Sequence, residues 1–230
     1  MFSGVGESIA MIAIWALPVL FAVTFHEAAH GYVAHRLGDD TAKREGRLTL
    51  NPFAHVDPFG TVLLPLVLLL FTNFAFGYAK PVPIDARRLH HPRRDMIWVA
   101  LAGPATNLVL AVLAAMLLPL AASIDGGFGT WFYQMLRVMV IFNCIIAVFN
   151  MLPIPPLDGG RVMAGLLPHA AAWRYGRLEP YGLFIVVGVL FLLPILLRPL
   201  GIGFNPAYPL IILPSQWLVD GIFAILGLGG

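Results

Sequence analysis

Charged side chains are scarce in this sequence, and their scarcity excludes most soluble proteins. Asp, Glu, Lys and Arg make up 11% of the 230 residues, whereas hydrophobic residues make up 59% and the mean hydropathy is +0.84. Soluble domains carry about 25% charged residues, so the composition indicates a protein whose solvent is a lipid bilayer. The net charge of +2 is also too small to indicate a nucleic-acid partner, and the basic residues lie between apolar segments rather than in one stripe.

The sequence also gives no indication of a disulfide, a removable signal peptide or a separate soluble domain. The single cysteine, Cys144, cannot form an internal disulfide, and its apolar surroundings favour a small buried hydrophobic side chain. Met1–Ala10 has no basic stretch, and no small-residue cleavage site precedes His26, so we expect the first apolar segment to remain in the mature protein. We therefore predict one membrane domain over 1–230, with a core at about 8–165 and accessory helices at about 180–229.

Long apolar segments dominate what is present. Five of them are long enough, or nearly so, to cross a hydrocarbon core of about 30 Å. These segments are Ile9–Val23, Met96–Ala122, Met135–Leu152, Tyr181–Leu197 and Tyr208–Leu228. We therefore predict an all-α polytopic membrane protein with five to six transmembrane helices, the first of which runs from about Glu7 to Leu37.

A further apolar segment, Thr61–Phe76, is shorter than a typical span and contains Pro65. Basic residues flank it on both sides: Lys43, Arg44 and Arg47 precede it, and Lys80, Arg87, Arg88, Arg93 and Arg94 follow it. Because such residues favour the cytoplasmic face of a membrane, both flanks should lie on that face. We therefore predict a re-entrant or extended segment between the first helix and the helix that contains Ala102–Asn107, with the N-terminus of the chain outside the cytoplasm.

His26, Glu27 and His30 lie in the C-terminal half of the first predicted helix. Four positions separate the histidines, so on an α-helix they are one turn apart and about 40° around the axis, and both imidazoles can bind one ion. Glu27 directly follows the first histidine, which puts its carboxylate beside the metal, where it can take a proton from water. Ionisable groups in an apolar helix cost about 3 kcal/mol each unless they are paired, metal-bound or hydrated. The pattern therefore predicts a zinc-hydrolase motif, with a metal-free hydrogen-bonded helix contact as the alternative.

A third zinc ligand must come from elsewhere in the chain, because a catalytic zinc usually takes three protein ligands and leaves a fourth position for water. Most of the 12 acidic residues lie in polar loops or near the chain ends. Asp158 instead lies in the segment Pro153–Gly160, which proline and glycine break and which closes a membrane helix. We expect its carboxylate to face a cavity; the alternative is that Asp158 caps a helix that begins at Gly159.

Four motifs follow one another along the chain: Phe25–His30 with Gly38-Asp39, Leu50–Pro58, Ala102–Asn107 and Asn150–Arg161. Together they resemble the site-2 metalloprotease family of intramembrane proteases, in particular its short bacterial members without appended domains. The likeness covers roughly residues 20–165. It implies that His26, His30 and Asp158 are zinc ligands and that Glu27 is the general base. Better-known members of the family often have an apolar helix before the metal-binding one, whereas only 25 residues precede His26 here.

Three further polar residues have two interpretations each. By the same resemblance, Asn107 and Asn150 contribute to substrate docking or oxyanion stabilisation, but asparagines also link membrane helices through hydrogen bonds. His55 lies in a turn-rich segment and is either a substrate-site or outer-shell residue or a part of the loop structure.

The short segment Lys80–Pro83 is a hypothetical edge along which an extended substrate strand pairs.

The resemblance implies an intramembrane zinc endopeptidase that holds one Zn²⁺ per chain. Its substrates would be membrane proteins, cleaved within or near their transmembrane segments. It would be a multi-pass protein of the bacterial inner membrane, with its active site toward the cytoplasmic side, and an oligomer is compatible with this scheme. The alternatives are a metal transporter and a zinc-binding membrane protein without proteolytic activity; Glu27 beside both histidines argues against the latter.

Overall fold

Helices make up the regular structure of this protein. The computed structural model describes residues 5–55, 57–63 and 80–229. All regular elements over these ranges are helical, which confirms the predicted all-α fold. The predicted re-entrant segment Thr61–Phe76 lies outside the described residues, except for residues 61–63, which end a short π-helical segment, Pro58–Leu63.

The α-helices are numbered here in chain order over the described ranges. They are α1 (Val5–Arg36), α2 (Thr41–Arg44), α3 (Pro92–Ala122), α4 (Gly126–Asn150), α5 (Asp158–Leu166), α6 (His169–Gly176), α7 (Gly182–Val187), α8 (Leu193–Leu197) and α9 (Leu213–Ile225). Short 3₁₀ turns lie at Pro52–Ala54, Ala86–Arg88, Glu179–Tyr181 and Arg198–Leu200, and π-helical segments at Gly188–Leu192 and Tyr208–Ile212. Both ends of α1 agree with the predicted first helix to within two residues.

Five helical stretches of the described chain are long and apolar enough to cross a membrane. They are Ile12–Arg36, Pro92–Ala122, Gly126–Asn150, His169–Leu200 and Tyr208–Ile225. Each contains or overlaps one of the five apolar segments predicted from the sequence. This correspondence confirms the prediction of a polytopic membrane protein.

Small side chains bring α3 and α4 close together. Ala111, Ala114 and Ala115 of α3 are at most 4% exposed and belong to the same buried cluster as Val140 and Cys144 of α4. Because a bilayer provides no hydrophobic driving force between helices, close approach and dispersion contacts must hold the pair together. Helix α1 packs against both α3 and α4, and residues of α9 pack against the buried cluster.

A tight loop between α4 and α5 determines where Asp158 lies. Helix α4 ends at Asn150, and α5 begins at Asp158 and packs against α3. Gly159 lies directly against the main-chain carbonyl of Met151, where a Cβ atom would collide with the carbonyl oxygen. The glycine therefore lets the start of α5 fold back onto the end of α4.

Ala115→Leu should destabilise the contact between α3 and α4. Ala115 is fully buried, so a larger side chain must push the two helices apart, and we expect a loss of about 1–3 kcal/mol in the free energy of unfolding. Denaturant titration in detergent micelles measures this loss. Met116→Leu, at the adjacent position that is 58% exposed, is the control, and equal losses in the two variants would contradict the packing described.

Candidate active site

Two histidines of α1 and the first residue of α5 meet at one buried point. The Nε2 atoms of His26 and His30 are 3.0 Å apart. Oδ2 of Asp158 lies 3.1 Å from Nε2 of His26 and 3.3 Å from Nε2 of His30. The three residues are 3–6% exposed. Positions 132 residues apart in sequence (158 − 26) therefore contribute to one cluster.

Hydrogen bonds on the far side of each ring fix the imidazole tautomers. Nδ1 of His26 lies 2.7 Å from Oδ1 of Asn107, and Nδ1 of His30 lies 2.7 Å from the carbonyl oxygen of Val99. Both oxygens can only accept, so each Nδ1 carries the hydrogen and donates it. A neutral imidazole then has its lone pair on Nε2, and both lone pairs point toward Asp158.

The orientation of the Asn107 amide follows from its other partners. Its Nδ2 donates to the carbonyl oxygen of Ala22 at 3.2 Å and to Oδ1 of Asn143 at 2.8 Å. Because both partners accept, the nitrogen must face them and the oxygen must face His26. Asn143 in turn donates to the carbonyl oxygen of Met139 at 2.8 Å. A buried chain of amides thus supports the first histidine.

The three inward-facing atoms fit a zinc ion. Oδ2 of Asp158 is buried and takes no hydrogen bond, because the nearby imidazole nitrogens carry no hydrogen in this tautomer. Two lone pairs and a carboxylate oxygen in mutual contact repel one another unless a cation lies between them. Ligands about 2.0 Å from a tetrahedral zinc would be roughly 3.3 Å apart, which is close to the distances found. Imidazole and carboxylate ligands also suit the chemistry of zinc.

Capping does not account for the position of Asp158. The cap position of α5 is Leu157, and no side chain caps the helix. The second carboxylate oxygen, Oδ1, lies 3.9 Å from the guanidinium of Arg161. Asp158 therefore faces the histidines with one oxygen and a cation with the other.

One face of α3 supports both histidines. Val99, Gly103 and Asn107 follow one another at intervals of four residues, so they lie on the same side of the helix. A Cβ atom at Gly103 would lie 2.5 Å from Cε1 of His26 and 2.5 Å from Nε2 of His30. Only glycine therefore lets α3 approach closely enough for its neighbours on that face to reach the rings.

Glu27 lies next to the cluster on α1 and is half-buried. Its Oε2 accepts a hydrogen bond of 2.9 Å from the main-chain N–H of Val82. This contact comes from a segment that lies 55 residues further along the chain. The predicted general base is thus held by a backbone donor outside its own helix.

His55 and Asn150 hydrogen-bond to main-chain carbonyls outside the cluster. His55 is 2% exposed, and its Nε2 is 2.9 Å from the carbonyl oxygen of Thr49. The Nδ2 of Asn150 donates to the carbonyl oxygen of Ile146 in the last turn of α4. Within the described part of the chain, neither side chain hydrogen-bonds to the cluster, so their roles in substrate binding stay predictions. The role of Asn107 in oxyanion stabilisation also stays a prediction, although the hydrogens of its amide are engaged between helices.

Comparison with known proteins identifies the family. A model described as "Peptidase family M50" matches residues 126–194, a region that includes Asp158. "Putative zinc metalloprotease YwhC" of Bacillus subtilis is 38% identical over 191 residues, which are 81% of this chain and 84% of that protein. This chain belongs to peptidase family M50. The match confirms the resemblance to site-2 proteases that the four sequence motifs indicated.

More distant M50 relatives agree with this placement. "Putative zinc metalloprotease Rip2" of Mycolicibacterium smegmatis is 33% identical over 199 residues, covering 85% of this chain and 71% of that protein. Rip2 of Mycobacterium tuberculosis is 32% identical over 198 residues, covering 83% and 70%. No solved structure matches. The chain is therefore a zinc metalloprotease of the M50 family, and its apolar spans make it an integral multi-pass membrane protein.

Gly103→Ala should abolish zinc binding, because the added methyl group would displace both imidazoles. We expect purified Gly103→Ala protein to retain less than about a tenth of the zinc in the wild type, consistent with the sensitivity of metal sites to their surroundings. Gly221→Ala is the control, since a Cβ atom there meets nothing within 4 Å. Metal content by mass spectrometry gives the answer, and full zinc occupancy in Gly103→Ala would contradict the close approach of α3.

Asn107→Leu should weaken zinc binding without removing a ligand. The substitution takes away the acceptor that fixes the tautomer of His26, and a loss of about 10- to 100-fold in zinc affinity is expected. Competition with a chelator of known affinity measures this loss. Gln134→Leu, at an exposed position of α4, is the matched control; an unchanged affinity in Asn107→Leu would show that the amide does not support the site.

Proposed function

We propose that this M50 protease is an intramembrane endopeptidase that hydrolyses peptide bonds within or near transmembrane segments of other membrane proteins. The observation that carries the proposal is the depth of the three-residue cluster. His30 lies six residues before Arg36, the last residue of α1, and His26 lies ten residues before it. At a rise of about 1.5 Å per residue these positions are roughly 9 and 15 Å inside the helix end.

His26, His30 and Asp158 would hold one zinc ion per chain. They are the one group of potential metal ligands found among the described residues. Zinc bound there would supply Lewis-acid chemistry, lowering the pKa of water toward about 7 and polarising a peptide carbonyl. Three protein ligands would leave a fourth position for water, as hydrolysis requires.

Glu27 would carry the proton transfers. One residue after His26 on the same helix, it accepts a proton from the attacking water and then donates that proton to the leaving amide nitrogen. Oε2 of Glu27 is occupied by the Val82 N–H. We assign the proton exchange to Oε1, because one lone pair of Oε2 is engaged by this donor.

The substrate must lose helical structure before it is cleaved. The carbonyls of a transmembrane helix are hydrogen-bonded within the helix and shielded from attack. A peptide bond becomes reactive only where that helix unwinds at the site. Membrane segments that contain helix-breaking residues are therefore the expected substrate class.

The active site would face the cytoplasmic side of a bacterial inner membrane. The N–H of His90 donates to the carbonyl oxygen of Leu37 at 2.9 Å, so the end of α1 and the start of α3 lie side by side. Basic residues gather at both places, which supports a cytoplasmic location by the positive-inside rule. They include Arg36, Lys43, Arg44, Arg87, Arg88, Arg93 and Arg94. The whole chain would act as one domain, with α7–α9 as accessory helices beside the core.

Glu27→Gln should keep zinc and lose turnover. The glutamine occupies nearly the same volume but cannot accept the proton, so we expect a loss of about 10²–10⁴ in kcat. Asp158→Ala should weaken both zinc binding and turnover, because it removes one of three ligands while the two imidazoles remain. The assay is cleavage of a membrane-spanning peptide by protein reconstituted in vesicles, with zinc content measured on the same samples.

The same samples separate the rival functions. Zinc-loaded wild-type protein that cleaves no membrane peptide would support a non-proteolytic zinc protein. Zinc uptake into the vesicles that persists in Glu27→Gln would support a transporter. Either result would contradict the proposed protease.

A further inference from the structure

The extended segment Lys80–Asp85, called the strap below, lies across α1 close to Glu27. A Cβ atom at Gly31, one turn after Glu27, would lie 3.0 Å from Cγ1 of Val82. Val82 itself is buried, at 6% exposure. The lack of a side chain at Gly31 therefore lets the strap rest directly on the helix that carries the predicted general base.

The composition of the strap leaves a single N–H in its centre. Pro81 and Pro83 have no amide hydrogen, so Val82 is the one donor of the Pro-Val-Pro triplet. That hydrogen is donated to Oε2 of Glu27 at 2.9 Å. Hydrogen bonds to an ionised carboxylate are about twice as strong as bonds between neutral groups, so this contact restrains a side chain that otherwise has several rotamers.

Both ends of the strap are anchored. At the first end, the N–H of Lys80 donates to the carbonyl oxygen of His55 at 2.9 Å. Nη2 of Arg47 donates to the carbonyl oxygen of Lys80 at 2.9 Å and reaches that of Pro81 at 3.4 Å. These bonds fix the strap just before Val82.

At the other end, the N–H of Asp85 donates to Oδ2 of Asp39 at 2.7 Å. Asp39 is fully buried, and its other carboxylate oxygen takes hydrogen bonds from the N–H and hydroxyl of Thr41. Asp39 directly follows Gly38 and lies three residues beyond Arg36, the end of α1. The second anchor thus belongs to the chain that leaves the metal-binding helix.

We propose that the strap is a positioning device for Glu27: the Val82 amide holds Oε2 so that Oε1 is left to face the position where zinc would bind, and Arg47 and Asp39 hold the strap in register. This inference rests on the proposed function, in which Glu27 is the general base. The N–H groups of Lys80, Val82 and Asp85 all bond within the protein. These three donors are therefore engaged by Glu27 and by the anchors of the strap, and the pairing of Lys80–Pro83 with an extended substrate strand stays a prediction.

Val82→Pro tests the proposal, because it removes the N–H while the flanking prolines already restrict the backbone. We expect kcat to fall about 10- to 100-fold, the loss that a misplacement of about 1 Å can cause, with KM and zinc content close to those of the wild type. Val82→Ala keeps the N–H and removes the side-chain contacts, so its loss in kcat should be much smaller. Equal kcat values in the two variants would overturn the proposal.

Arg47→Gln provides a second test that does not depend on the folding of Val82→Pro. Arg47 is only half-buried, so its replacement should leave the helices intact, and we expect kcat to fall about tenfold with KM unchanged. The control is Arg44→Gln, which breaks the exposed ion pair with Asp40 at 2.7 Å. Wild-type kcat in Arg47→Gln would overturn the anchoring role.

Combination with Glu27→Gln separates this inference from the proposed function. If the strap acts only through Glu27, Arg47→Gln should cause no further loss in a chain that already carries Glu27→Gln. Full turnover in Glu27→Gln alone would overturn the proposed function. If Glu27→Gln loses turnover and Arg47→Gln causes a further, additive loss in that variant, the positioning role of the strap is overturned and the proposed function stands.

Discussion

The direction of two imidazole lone pairs is the constraint on which the rest of this structure depends. His26 and His30 each donate a hydrogen from Nδ1 to an oxygen of α3, so both Nε2 atoms are left without a hydrogen and point at Asp158. Such an arrangement is unfavourable inside a helix bundle unless a cation fills it. The buried polar atoms are therefore held in place by α3, which orients the histidines that we propose as metal ligands.

Close packing of the helices makes this organisation possible. Small side chains let α3 and α4 approach each other, and Gly103 lets α3 approach α1 at the level of the rings. Asn107 and Asn143 then bridge the three helices through their amides. In a bilayer, where apolar faces gain little by meeting one another, this combination of small residues and buried amides is what can hold helices in one register. Stability and site geometry thus depend on the same contacts.

The sequence predicts the spans and the ligand pattern, but not the groups that support them. Apolar length and the four-residue spacing of His26 and His30 are local properties, so they can be read directly. The proline- and glycine-broken segment that contains Asp158 singled it out among the acidic residues as a candidate third ligand. The family resemblance then implied that it binds zinc. The carbonyl of Val99 and the amide of Val82 are backbone groups that every residue except proline possesses, so nothing in their side chains marks them. The intervals that align Val99, Gly103 and Asn107 could have indicated a shared face, but only the packing of α3 on α1 reveals what that face contacts.

X-ray absorption at the zinc edge tests the central claim most directly, because it reports the atoms bound to the metal in the membrane protein itself. Zinc-loaded wild-type protein should show two imidazole ligands at about 2.0 Å and oxygen ligands at about 2.0–2.2 Å. Asp158→Ala, reloaded with zinc, should keep the imidazole signals and show an altered oxygen shell. A sulfur ligand at about 2.3 Å, or fewer than two imidazoles in the wild type, would contradict the account.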